Sequence, residues 1–98
     1  MSYAFEMSPK AEKELYEAWK WYEEEQPGLG ERFEKEFFRK IDLILNNPLH
    51  YALKKGLHEA RTNTFPYLLI YKVSEKNNMI TIVSVFHMKR HPRKKRRL

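Results

Sequence analysis

The apolar residues of this chain change their spacing once, and that change limits the folds open to it. Ala11, Leu15, Ala18, Trp19 and Tyr22 recur at helical intervals, and so do Phe33, Phe37, Ile41, Ile44 and Leu45. Ser8-Pro9 opens the first of these stripes as N-cap and first helical residue. Gln26-Pro27-Gly28-Leu29-Gly30 halts it near Glu25, and the second stripe starts again at about Leu29. It ends at Asn46-Asn47-Pro48, where Asn tolerates a left-handed cap and Pro forbids continuation. A break this short predicts an antiparallel helical hairpin.

Beyond Pro48 the period becomes that of strands. Residues 57–62, 67–73 and 79–86 are β-branched and aromatic runs parted by turn residues, with Pro66 at a strand entrance where its missing N–H costs least. Residues 49–56 read as irregular. At the other end, Tyr3-Ala4-Phe5-Glu6-Met7 alternates and predicts a short strand. The expected class is α+β: an N-terminal strand, then a helical hairpin covering one face of a three-stranded antiparallel meander.

With 98 residues the chain is expected to be one domain, residues 1–92, followed by a mobile basic tail, residues 93–98. Arg93 to Arg97 offer nothing apolar to offset the entropy of ordering them. A core this small must be dense in aromatic rings, and Phe, Trp and Tyr at 14% supply them. The lack of cysteine excludes disulfides, thiolate nucleophiles and Cys-based metal sites. No apolar run is long enough to span a membrane, and "MSYAFEMSPK" lacks the apolar stretch of a secretory signal, so a cytoplasmic setting is expected. The net charge of +6 favours an anionic partner. It is unevenly placed, because Glu23-Glu24-Glu25 lie in the first third while the basic excess gathers from Lys54 onward.

Chemistry is expected where strands end. Arg61 precedes the turn into the middle strand, Tyr67 begins that strand, and His87 and Arg90 follow the last one. In a sequential antiparallel meander the exit of the last strand lies beside the entrance of the middle one, which predicts a neighbourhood of Arg61, Tyr67, His87 and Arg90. Arginine presents a planar fork that matches phosphate oxygens, and histidine moves protons near neutrality. Such a group covers the needs of metal-independent RNA cleavage through the 2′-OH. Each residue also has a plainer reading: Arg61 pairs with a surface carboxylate such as Glu59, and His87 is a structural hydrogen-bonder. Other chemistries fail. Of the four histidines only His87 and His91 stand four apart, and they sit among cations that repel a metal ion, so neither metal nor cofactor is expected. "GLG" lacks the spacing of a phosphate loop, no Ser-centred nucleophile elbow is present, and the three consecutive glutamates read as solvated surface.

Taken in order, the segments "SPKAEKEL", "GLGERFEKEF", "NP", "FPYLLIY" and "VFHMKRHP" resemble the RelE/ParE superfamily of type II toxin–antitoxin toxins over nearly the whole chain. The resemblance implies a small toxin of a plasmid-stabilisation type of system, neutralised by a cognate antitoxin, alone as a homodimer or within a hetero-oligomer. ParE-like members act on DNA gyrase without a hydrolytic site. RelE-like members cut messenger RNA on the ribosome with basic residues and a Tyr or His. The fold does not choose between them. The ending from His87 through Arg90 to Pro92 and the "FPY" favour the ParE-like branch, and no Tyr follows Tyr71 to serve a RelE-like nuclease. The finish "RKKRR" departs from ParE-like endings, which commonly carry an aromatic there. As a nuclease the chain would use Arg61 and Arg90 on the scissile phosphate and His87 for the proton. Lys54, Lys55, Lys89, Arg93 and Lys94 are the expected contacts to nucleic acid or another target. A third reading is a non-catalytic basic interaction module.

Overall fold

The computed structural model describes residues 2–89. Seven elements follow one another: β1 (Ala4–Met7), α1 (Pro9–Glu25), α2 (Leu29–Asn46), β2 (Ala52–Lys54), β3 (Leu57–Arg61), β4 (Tyr67–Ser74) and β5 (Met79–His87). The helical hairpin and the alternating first strand stand where the spacing of apolar residues predicts them.

Side chains from neighbouring elements set both helix starts. The Ser8 hydroxyl accepts the Ala11 N–H at 3.1 Å and donates to the Val83 carbonyl at 3.2 Å, so the cap of α1 also ties it to β5. Gly28, at φ 90°, opens α2 without a capping side chain of its own. Glu23 of α1 supplies the acceptor instead, taking the Gly28 and Gly30 N–H groups at 2.9 and 3.0 Å. Glu23 therefore departs from the solvated-surface reading of the glutamate run. The close approach needs Gly30, because a Cβ there would lie 2.7 Å from the Trp19 carbonyl oxygen.

The sheet corrects the expected meander. Its order is β1-β5-β4-β3-β2, with β2 to β5 antiparallel in sequence and β1 parallel to β5, from Ala4 opposite Met79 to Met7 opposite Ile82. The segment read as irregular holds β2, and the antiparallel part has four strands rather than three. Lys55 and Gly56 explain it: both have positive φ, 53° and 83°, closing a two-residue turn whose twist suits a hairpin. The sheet is mixed because the hairpin carries the chain across one face, returning β1 and β5 to the same edge in the same direction.

One extra residue re-aims β5. Ile70 pairs with Ser84 but Tyr71 pairs with Ile82, so Val83 stands unpaired as a bulge. The bulge coincides with the end of β1, whose last pair is Met7 with Ile82. Past that point Glu14 of α1 accepts the Val85 N–H and the Ser84 hydroxyl, each at 2.9 Å. A helix carboxylate thus takes over at the strand edge where a neighbouring backbone stops.

The core lies between the hairpin and one sheet face. Phe33, Phe37, Ile41 and Ile44 of α2 and Ala11 and Ala18 of α1 pack with Tyr67, Leu69, Tyr71, Ile80, Ile82 and Val85. Its densest part is aromatic: Tyr22 meets Phe65 at 4.8 Å between ring centroids, and Phe33 meets Tyr67 at 5.0 Å. Truncating fully buried Phe33 or Phe37 to alanine would cost about 3–5 kcal/mol. Glu36 of α2 holds the β3–β4 turn that inserts Phe65, accepting the Thr64 and Phe65 N–H groups at 2.8 and 3.1 Å. Among the described residues no helix is long and apolar enough to cross a membrane.

Candidate functional site at the α1–β5 cleft

Where β5 runs out beside α1, the surface opens into a cleft of about 520 Å³. One stripe of α1 walls it with Lys10, Glu14, Glu17, Trp21 and Glu24, while Tyr67, Val85, Phe86 and His87 line it from the sheet. Residues spaced three and four apart share a helix face, so this wall is continuous along the helix. Trp21 stands at the rim, 48% exposed.

Antiparallel pairing fixes which of the expected site residues meet. Tyr67 lies directly opposite His87, and their rings touch edge to face at 4.9 Å and 80°. Arg61 lies opposite Leu68, and Leu68 lies opposite Phe86. Directly opposed residues share a sheet face and successive residues alternate. Arg61 therefore belongs to the face of Leu68 and Phe86, whereas Tyr67 and His87 belong to the other. Of the expected neighbourhood, the structure brings Tyr67 and His87 together and sets Arg61 across the sheet from them. Arg90, Arg93 and Lys94 lie outside the described residues.

The lysines separate in a similar way. Lys54 reaches Glu59 at 3.8 Å, so that carboxylate pairs with Lys54. Lys55 projects from the hairpin tip with a left-handed backbone, and Lys89 is exposed just after β5. Neither faces the cleft.

Hydrogen bonding limits what His87 can do. Its Nδ1 accepts the Lys89 N–H at 3.1 Å, which leaves the neutral ring with its proton on Nε2. In that tautomer Nε2 donates, and taking up a proton at Nδ1 would break the bond to Lys89. The ring suits hydrogen-bond donation better than general-base work. Among the described residues, the cleft is lined by three glutamates (14, 17 and 24) and two lysines (10 and 20).

The remaining aromatic hydroxyl of the strand is structural. Tyr71 is buried, donates to the Pro48 carbonyl at 2.7 Å and stacks on His58 at 5.1 Å. Burial, with the neighbouring Tyr51 hydroxyl adding to it, pushes its pKa far above the ordinary tyrosine range. His58 in turn bonds the Tyr51 carbonyl through Nδ1 at 2.9 Å, fixing the α2–β2 connection to the sheet. Sequence reasoning missed Glu14, Glu23 and Glu36, three helix carboxylates that accept backbone N–H groups of neighbouring segments. Each sits on a helix at a spacing that reads as surface, and only the gap it fills in a neighbouring backbone distinguishes it.

An N-terminal strand, a helical hairpin and a mixed sheet closing on that first strand define the architecture of small RelE/ParE-like toxins. Solved structures agree: the chain is similar to one in the chromosomal ParDE toxin–antitoxin system of P. aeruginosa, with TM-score 0.74 and 11% identity, covering 87% of this chain and 95% of that one. It is also similar to a chain of the RelBE2 toxin–antitoxin complex of Mycobacterium tuberculosis, with TM-score 0.61 and 17% identity over 89% and 99% of the two chains. A variant of E. coli RelE in the free state gives TM-score 0.57 and 18% identity over the full length of both. Comparison with curated proteins gave no match. The sequence profile of the ParE toxin of the type II toxin–antitoxin system, parDE, matches residues 5–92, and the chain belongs to that family.

Proposed function

We infer that the chain arrests growth by acting on DNA gyrase through a protein–protein interface, without cutting a phosphodiester, and that a cognate antitoxin neutralises it. The observation that carries this reading is the separation of Arg61 from His87 by the sheet itself. A nuclease needs its phosphate-binding and proton-moving groups around one scissile bond. Among the described residues, His87 stands beside the carboxylates of α1 with its Nδ1 engaged, while Arg61 faces away. An exposed tryptophan at the rim of a cleft of mixed charge suits a protein surface. The antitoxin half of the reading is supported by the two complexes to which the fold is similar, both described as toxin–antitoxin assemblies.

Induction in bacteria without the antitoxin tests it. The expected outcome is a DNA-damage response with gyrase trapped on DNA, and inhibition of purified gyrase in a supercoiling assay. Rapid loss of translation with cut messages would instead establish ribosome-dependent cleavage and overturn the reading. His87→Gln should keep its growth arrest; a proton-moving histidine would lose about 10²–10⁴ in rate.

A further inference from the structure

The helical hairpin carries an aromatic pair that the core does not use. Tyr16 is 58% exposed and stacks on Trp19, with ring centroids 6.1 Å apart and planes at 27°. The two rings line a cleft of about 440 Å³ together with Met7, Leu15, Glu12 and Glu34. Met7 and Leu15 are partly buried against the core and give the cleft an apolar lining. Neither Glu12 nor Glu34 makes an ion pair among the described residues.

The geometry points to a receptor for an arginine side chain presented by a basic segment of a partner protein. A long cationic side chain has an apolar stem and a charged head, and this cleft offers surface for both. Met7 and Leu15 suit the methylenes. The electron-rich ring faces attract a cation, and the two carboxylates add full charges of the right sign. Arginine fits better than lysine, because its planar guanidinium lies flat on a ring while its fork meets a carboxylate. An acidic or phosphorylated segment is repelled, and a purely apolar one would desolvate the glutamates without pairing them. The local sign is the reverse of the net charge of +6, so the cleft is no sample of a generally cationic surface. This inference is independent of the gyrase reading, and it concerns the seam of the hairpin rather than the α1–β5 cleft.

The test is a titration of the ¹⁵N-labelled full chain with N-acetyl-arginine amide, against N-acetyl-citrulline amide as an uncharged isostere. Arginine amide should shift the Trp19 indole N–H and the amides of Tyr16 and Glu34 saturably, with Kd on the order of millimolar for so small a probe. Citrulline amide should bind at least about tenfold more weakly. Trp19 also packs against Gly30, so the informative variants are the exposed Tyr16→Ala and Glu34→Gln. Each should weaken arginine binding about three- to tenfold while leaving the Tm within a few degrees. Equal shifts from both amides, or variants that bind like the parent, would overturn the assignment. So would the same signals moving when the protein alone is diluted, which would put a second copy of the chain in the cleft.

Discussion

Glu36→Gln isolates the clamp that holds the β3–β4 turn. One carboxylate oxygen accepts both the Thr64 and the Phe65 N–H. Burial pushes the Glu36 carboxyl up, but the backbone donors of Phe65 and Thr64 outweigh it and hold the group below the usual carboxylate range. Glutamine keeps an acceptor of the same shape and removes only the charge. Hydrogen bonds to a charged group are worth about 1.5–3 kcal/mol and neutral ones about 0.5–1.5. Because Glu36 is partly exposed and one of its donors lies at the surface, the lower end applies, a loss of about 1 kcal/mol in all. In a domain of this size that lowers Tm by about 4–8 °C. The pH dependence follows from the lowered pKa. The stabilising contribution is complete above the unfolded glutamate pKa of about 4.3 and is lost as pH falls through the lower folded value. Urea unfolding followed by tryptophan fluorescence should therefore separate the two proteins at pH 7 and bring them together near pH 3. An equal deficit at both pH values, or none at pH 7, would refute the account of Glu36 as a charged acceptor.

Gly30→Ala should lower stability by about 1–3 kcal/mol, because the added methyl meets the Trp19 carbonyl oxygen and the Glu23 carboxylate at 2.7 and 2.9 Å; an unchanged melting temperature would contradict the close helix crossing. Lys55→Asn should raise stability by about 0.5–1 kcal/mol, since asparagine accepts the left-handed conformation of a two-residue hairpin more readily than lysine, and a loss in the same melt would count against that turn. Glu14→Ala should cost about 2 kcal/mol through the stranded Val85 N–H and Ser84 hydroxyl. Amide hydrogen exchange should then quicken more at Val85 than at Tyr71 in the middle of the sheet.

The helices were legible because their apolar residues repeat with the right period and their ends carry Ser8-Pro9 and Asn47-Pro48. β3, β4 and β5 were legible from their β-branched and aromatic content. β2 was not, because Ala52, Leu53 and Lys54 are all exposed and leave no burial pattern to read. Nor was the parallel seat of β1, since an alternating strand does not name its neighbour. At the site, the pairing of Tyr67 with His87 followed from the order of the strands, but the face taken by Arg61 did not. That face depends on register, which Thr62 helps to set by donating its backbone N–H to the Tyr67 carbonyl at 3.0 Å and its hydroxyl to Phe65. A neighbourhood guessed from strand ends ignores the parity that decides which side chains see one another.

The seat of β1 beside β5 bears on how the molecule comes into being. Its register joins Ala4 to Met79, and Ser8 closes onto Val83 across 75 residues of chain. While a ribosome is still extending the nascent polypeptide, α1 can rest on α2 but not on the sheet, and β1 lacks its strand partner. At about 5–20 residues per second that wait lasts several seconds. The hairpin can coil early under its local Ser8 cap, yet the β1–β5 edge, the cleft beside Trp21 and the tie from Ser8 to Val83 all arrive with the last strand. A chain assembled this way presents no finished sheet edge or α1–β5 cleft to any partner until β5 has been made.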